Sequence, residues 1–446
     1  MRLRGLAIAV VVLLALSGAV YWSNKAKKAE EGKPAEGAPP QVLTIPSGDI
    51  QQVEVRKFGA EPVVLRRQDA GLWSMTSPPQ WPVDQDAASA IVTTVSSLSS
   101  ERMVEEKPAD LAAFGLSTPS IEVNIGLKNG KSRKLLLGDD TPTGGGSFAK
   151  VDGDAKVYVL GSFAKSSLVK TPRDLRDKRL LTYSAEKLTR VELTTKGQTV
   201  EFGKNGQGEW QIVKPRPLRA DGGQVEDVIR KLGEARMDAA LTEDDEKKST
   251  AAFNGAAPVA TVRVTDATST QQLEVRRDKD KNTYARSSVV AGAFKVSNDL
   301  GDALDKSLAD FRNKKLFDFG FSDPTKVEVR DGQKQSAFDK SGEKWMSGGK
   351  QMDPAGINGL VDKLRDLAAI KFVDSGFTTP VFEAAVTSND GKRVERVLIS
   401  KQGASCFAQR AGEPSIYELD AKTVDDLQKV LADIKEFQPP KPAKKK

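Results

Sequence analysis

The feature that most restricts how this chain can fold is an internal repeat. Three tryptophans, Trp73, Trp210 and Trp345, stand 210 − 73 = 137 and 345 − 210 = 135 residues apart, and the same series of markers surrounds each one. Val53-Glu54-Val55, Val191-Glu192-Leu193 and Val327-Glu328-Val329 open three copies in alternating, strand-like sequence. After each tryptophan come a turn with Pro or Gly, an aspartate (Asp84, Asp221, Asp353) and an apolar series at helical spacing. An aspartate in that place predicts a helix N-cap. Gln224 three residues after Asp221 and Pro354 directly after Asp353 strengthen the prediction. The stripes behind the caps are Ala87, Ile91, Val95 and Leu98, then Val225, Val228, Ile229 and Leu232, then Ile357, Leu360, Val361, Leu364 and Leu367. Each predicts an amphipathic helix with one core-facing side.

Further markers keep the order. Phe114, Phe253 and Phe377 each precede a proline-containing loop and a hairpin, whose turns are Lys128-Asn129-Gly130 in copy one and Asn389-Asp390-Gly391 in copy three. A later strand carries Phe148-Ala149-Lys150, Tyr284-Ala285-Arg286 and Phe407-Ala408-Gln409, and a closing helix carries Leu168, Leu304 and Leu427, then Leu175, Phe311 and Ile434. Each copy thus reads as three strands, a helix, four strands and a helix. The copies are placed at 44–181, 182–317 and 318–437, and antiparallel sheets with helices on one face are the expected architecture.

The ends of the chain differ from this globular part. Residues 5–20 are uncharged and mostly apolar, preceded by Arg2 and Arg4 and followed by Tyr21 and Trp22. At about 1.5 Å per residue, 5–22 spans roughly 27 Å, enough for a bilayer core. The expected element over 1–22 is a signal anchor or transmembrane helix, and Ser17 and Ala19 make a cleaved export signal the competing reading. Residues 23–43, rich in Lys, Glu, Ala, Gly and Pro, are read as a disordered linker, and 438–446 as a basic disordered tail. The fold expectation is therefore α+β: an N-terminal transmembrane helix and a disordered spacer, then three tandem repeats of antiparallel sheet with two helices each.

Composition excludes several functions. The chain has no histidine, which removes imidazole as general base or metal ligand, and its one cysteine, Cys406, permits no internal disulfide. Cys406 reads as a buried small residue at the start of an alternating strand. The net charge of +7 comes from basic residues interspersed with acids and carries no nucleic-acid signature.

Individual motifs resolve into ordinary structure or into surfaces. Gly130-Lys131-Ser132 resembles the end of a phosphate-binding loop, but Ile125 stands where that loop needs glycine and the motif lies on a hairpin, so no nucleotide site is expected. The run Gly138–Lys150 places Asp139 and Asp140 beside three glycines, as a flexible surface loop or an ion or partner contact would. The acidic run Glu243-Asp244-Asp245-Glu246 reads as a solvated polar insertion, and the tryptophans read as core anchors more than as a sugar-stacking platform. Copies one and two end in basic segments holding Arg176, Lys178 and Arg179, and Arg312, Lys314 and Lys315; copy three lacks them. They read as the joint into the next copy, or as a partner or lipid surface. Together with Asp139 and Asp140 they are the candidate partner surface. No catalytic residue, metal ligand or cofactor is assigned.

Several phrases together, AAFGLSTPSIEVNIGL (Ala112 to Leu127), LLLGDDTPTGGGSFAK and DLRDKRLL (Asp174 to Leu181), resemble the bacterial domain of unknown function 4340 family, best over about residues 70–250. The resemblance implies an envelope protein, similar in some members to auxiliary components of gliding-motility-type ABC transporters, and carries over no active-site residue.

The function expected is a non-enzymatic, membrane-anchored extracytoplasmic binding or scaffold protein, an auxiliary subunit of an ABC-type transporter or other envelope complex. The alternatives are a carboxylate-dependent envelope hydrolase or carbohydrate-active protein, and a purely structural spacer. The expected location is the bacterial inner membrane, single pass, with the soluble part outside the cytoplasm. Its expected partners are the membrane, through residues 5–22, and other envelope or transporter proteins, with neither nucleic acid nor nucleotide.

Overall fold

The computed structural model describes residues 39–439 apart from Pro79, Gln80, Ala239, Ala240, Ser322 and Asp323. They divide into one compact unit up to Lys178, which holds the first repeat, and a second from Arg179 onward, which holds the other two.

Each repeat is built on an open antiparallel sheet. In the first, the spatial order is Trp73–Ser77, Val63–Arg67, Ile50–Lys57, Ile121–Leu127, Ser132–Asp140, Gly146–Val151, Val157–Gly161 and, on the far edge, Arg102–Glu105. In the second it is Leu218–Arg219, Trp210–Lys214, Gln198–Lys204, Leu188–Thr195, Ala257–Asp266, Thr270–Arg277, Thr283–Ser287 and Ala293–Val296. In the third it is Lys350–Gln351, Lys344–Ser347, Lys334–Ser341, Lys326–Asp331, Phe382–Ser388, Arg393–Gln402, Ser405–Arg410, Ile416–Leu419 and Lys371–Val373. Seven strands are common to all three, and the edges vary.

Alternation in the sequence produces these strands. Ile121, Val123 and Ile125 point into the core while Glu122 and Asn124 point outward, the period-2 pattern of a sheet solvated on one face. Helices cover the other face: α1 (Gln85–Ser96) and α2 (Ser162–Leu168) in the first repeat, α3 (Gly222–Gly233) and α5 (Asn298–Leu304) in the second, and α6 (Pro354–Arg365) and α7 (Thr423–Ala432) in the third, while α4 (Glu243–Gly255) of the second packs Phe253 against Tyr284 and Ala293 on the opposite face. Asp84, Asp221 and Asp353 cap α1, α3 and α6, each accepting a backbone N–H of the first turn. Val225, Val228, Ile229 and Leu232 of α3 are buried, as are Ile357, Leu360, Val361 and Leu364 of α6. Trp73, Trp210 and Trp345 all lie in the cores.

Short backbone pairings organise the modules. In the first repeat, the leading strand Gln41–Thr44 pairs antiparallel with Ser97–Ser99, just past α1. In the second, Leu180 N–H donates to the Ala235 carbonyl past α3. In the third, Leu316 N–H donates to the Leu367 carbonyl and Ala369 N–H to the Lys314 carbonyl past α6. The end of each repeat returns to the start of its own first helix: Asp84 N–H donates to Leu175, Asp221 N–H to Phe311 and Asp353 N–H to Lys435. Backbone equivalence thus puts Lys435, one residue beyond Ile434, opposite Leu175 and Phe311.

Three expectations are corrected. The architecture is predominantly antiparallel sheet, in four sheets, because the leading strand makes a small one of its own. The repeats do not carry two helices each: the second has α4 where a polar insertion was expected. Thr242 caps α4 in a capping box with Asp245, and Glu243 to Glu246 occupy the first turn, where carboxylates oppose the positive end of the helix dipole. Finally, among the described residues no helix is long and apolar enough to cross a membrane, so an architecture led by a transmembrane helix is withdrawn. The apolar run 5–22, the spacer up to residue 38 and the tail from residue 440 lie outside the described residues.

Candidate functional site

A cluster of partly buried charge sits where the second repeat runs into the third. It starts from two breaks in strand alternation. Val397 and Ile399 point into the core of the third repeat, and Glu395, two residues earlier, continues their face. Arg410 likewise continues the face of Cys406 and Ala408. A charge turned toward a core must be paired, because its loss of hydration costs several kcal/mol.

The pairing is met from both repeats. Arg410 Nη2 donates to Glu395 Oε1 at 3.1 Å, its Nε to Glu413 Oε1 at 2.8 Å and its Nη1 to the Leu316 carbonyl at 2.6 Å. The Asp318 backbone N–H donates to the same Glu395 oxygen at 2.8 Å. From the second repeat, Arg219 presents Nη2 to the Asp318 carboxylate at 2.5 Å and Nη1 to the Lys315 carbonyl at 2.8 Å. Its Nη1 also reaches the Tyr417 hydroxyl at 3.3 Å. Arg393 lies 3.5 Å from Asp318, 3.4 Å from Glu395 and 3.2 Å from Glu209 of the second repeat. Three guanidinium groups thus meet four carboxylates.

Burial disfavours the Arg219 charge, but Asp318, Tyr417 and Glu413 outweigh it and hold the guanidinium above its ordinary range. Burial pushes the Tyr417 phenol up. Arg312 stacks over the Phe372 ring at 3.4 Å and donates to Ser415, and there desolvation wins and lowers its pKa. A polar groove runs along this joint, lined by Trp210, Arg219, Asn313, Asp318 and Arg393. These groups are bound to one another, so the arrangement clamps two repeats together. Among the described residues no group of three His, Cys, Asp or Glu is placed to hold a metal ion.

The candidates read from sequence lie in several different places. Arg312 is part of the joint, whereas Lys314 and Lys315 are exposed. Arg176 is buried against the Trp81 ring at 4.7 Å, and Lys178 Nζ donates to the Asp174 carbonyl at 3.1 Å. Arg179 makes a backbone bridge with Arg236. Asp139 is exposed beside Gly115, where the left-handed backbone (φ 63°) and the closeness of Asp139 leave no room for a Cβ. Asp140 accepts from Lys165 Nζ at 2.5 Å and from Ser147, and Lys165 first, then Ser147, holds its carboxyl below the usual range.

The residues that matter most at the joint, Arg219, Asp318, Glu395 and Arg410, are not among those candidates. One signal was available. Glu395 and Arg410 interrupt otherwise apolar strand faces, and Arg219 stands where the neighbouring repeats have Pro82 and Gln351, two residues before the capping aspartate.

Tandem open sheets, each with helices over its core face and the second with a further helix on the other face, define a modular repeat protein. The chain belongs to the family described as domain of unknown function (DUF4340), whose model matches residues 73–251 and again 210–383. The two matches begin at Trp73 and Trp210, the equivalent core anchors, and overlap. The family unit is therefore longer than one structural repeat, running from the third strand of one sheet past the first helix of the next. No curated protein and no solved structure matches the chain.

Proposed function

We propose that this protein is a non-enzymatic extracytoplasmic binding or scaffold protein, acting as an auxiliary subunit of an ABC-type transporter or another envelope complex. The observation that carries the reading is the ionic joint. Arg219, Arg393 and Arg410 pair with Asp318, Glu395, Glu413 and Glu209 and hold two sheets as one unit. A stiff pair of modules with largely solvated outer sheet faces suits the task of holding partners in place. The apolar run 5–20, read as an export segment, supports a place outside the cytoplasm.

Gentle detergent extraction of cell membranes, followed by affinity recovery of the full chain, tests the proposal. Stoichiometric co-recovery of envelope proteins is expected, and repeated recovery of the chain alone would sink it. A topology reporter fused after Lys446 tests the compartment: activity on the cytoplasmic side contradicts export.

A further inference from the structure

The three repeats serve as controls for one another at one end of the sheet, where the closing helix passes the turn after the first long strand. In the second repeat the residue before the turn glycine is Lys196, which pairs with Asp305 at the end of α5 at 2.9 Å. In the third it is Asp331, which accepts from Gln428 of α7 at 2.7 Å. The first repeat has Phe58 there, 88% exposed. The second residue of the closing helix follows the same pattern. It is Asp299 in the second repeat, paired with Lys231 at 3.3 Å, and the residue at the same distance before the helix's core leucine in the third is Lys422, the N-cap of α7. In the first repeat it is Phe163, 83% exposed. Polar residues meet every structural need of this position in two repeats, yet the first exposes two phenylalanine rings to water.

Phe163 lies in the first turn of α2 and, by the equivalence of Lys196 with Phe58 and of Asp305 with Val169, Phe58 lies beside the residue that ends it, so the two rings flank one short helix, and carboxylates lie beside Phe163. The Glu101 side chain packs against Gly161, two residues before Phe163, and Asp140 is bonded to Lys165, two residues after it. Glu101 and Asp139 make no ion pair among the described residues. We propose that this end of the first repeat is a docking surface for a protein segment that presents apolar side chains next to lysine or arginine. The unpaired carboxylates select a cationic partner and repel an anionic lipid surface. Fully covering two phenylalanine side chains buries about 300–500 Å², short of the roughly 800 Å² per partner of a stable dimer. The occupant is thus a short segment of another protein, and a second copy is not expected. The inference rests on the binding-scaffold reading and gives it a location.

The test replaces Phe58 or Phe163 of the full chain, in cells, with the photoreactive residue p-benzoylphenylalanine. A control probe replaces Val394 in the second unit, which is also exposed. The expected result is a protein adduct at the first two positions whose attached peptide has Lys or Arg within one helical turn of an apolar residue. The adduct at 163 should fall at least tenfold in the F58K variant, which carries the second repeat's residue, and in E101Q/D139N, with thermal melting unchanged. A lipid adduct, an adduct with a second copy, or an adduct insensitive to E101Q/D139N overturns the proposal. Adducts at the control position alone overturn the location and leave the binding reading standing, and no adduct at any position defeats both.

Discussion

The cores of the repeats and the joint between the second and third bury side chains on opposite principles. A core is filled by apolar groups such as Trp345, Phe338, Val327 and Leu360, whose attraction is non-directional and whose loss leaves a void. The joint is filled by Arg219, Asp318, Arg410 and Glu395, whose attraction depends on geometry and whose loss leaves an unpaired charge. The difference teaches that the core decides whether a module forms at all, while the joint decides how two formed modules are held.

The comparison can be broken most severely in the core. Trp345→Ala should cost about 3–5 kcal/mol and show as a large fall in the denaturant midpoint, and a loss below 1 kcal/mol would mean the tryptophan is no anchor. Asp318→Ala comes next, at about 2–3 kcal/mol, because Arg219 loses its carboxylate. The sharper experiment is the pair R219M/D318L. If the joint works through charge balance, the double variant should be more stable than Asp318→Ala alone, and equal or greater damage would refute that account.

A third lever is alkaline pH. The Tyr183 hydroxyl donates to the Ile229 carbonyl at 2.6 Å, and burial pushes its pKa well up. A raised folded-state pKa means that its contribution is complete below the unfolded value near 10 and is lost as pH rises toward the folded value. Its share of the stability should therefore be flat below pH 10 and fall by roughly 1 kcal/mol by pH 11; Tyr183→Phe should remove that share alone and leave the fall due to Tyr417, whose phenol burial also pushes up. The smallest effects belong to the surface. Asp221→Ala, which removes the cap of α3, should cost about 1 kcal/mol. Lys196→Ala, which breaks an exposed pair, should cost no more than about 0.5 kcal/mol.

What could be read from the sequence was whatever depends on near neighbours. The capping aspartates, the Asn389-Asp390-Gly391 turn, whose Asn and Asp take positive φ, and the alternating core strands are set within a few residues and were legible. The α4 helix was not, because EDDEKKSTAAFNG buries only Ser249 and Phe253 and so shows no apolar stripe. The leading strand was hidden for a different reason. Gln41–Thr44 finds its partner at Ser97–Ser99, more than fifty residues on, and nothing local announces the pairing. The joint was hidden in the same way, since Arg219 and Asp318 look like solvated charges until the fold places them 2.5 Å apart.

The backbone pairings past the first helices have a consequence for how such a chain can change in length. Phe311 and Asn313 are fixed to the second repeat through Asp221 and Arg219, and Lys314 and Leu316 are already fixed to the third through Ala369 and Leu367. No slack residue lies between the two attachments. A short insertion there would pull one sheet off its neighbour, whereas a whole module inserted with both attachments intact would not. Growth or shrinkage of this array is therefore quantised in units of about 135 residues.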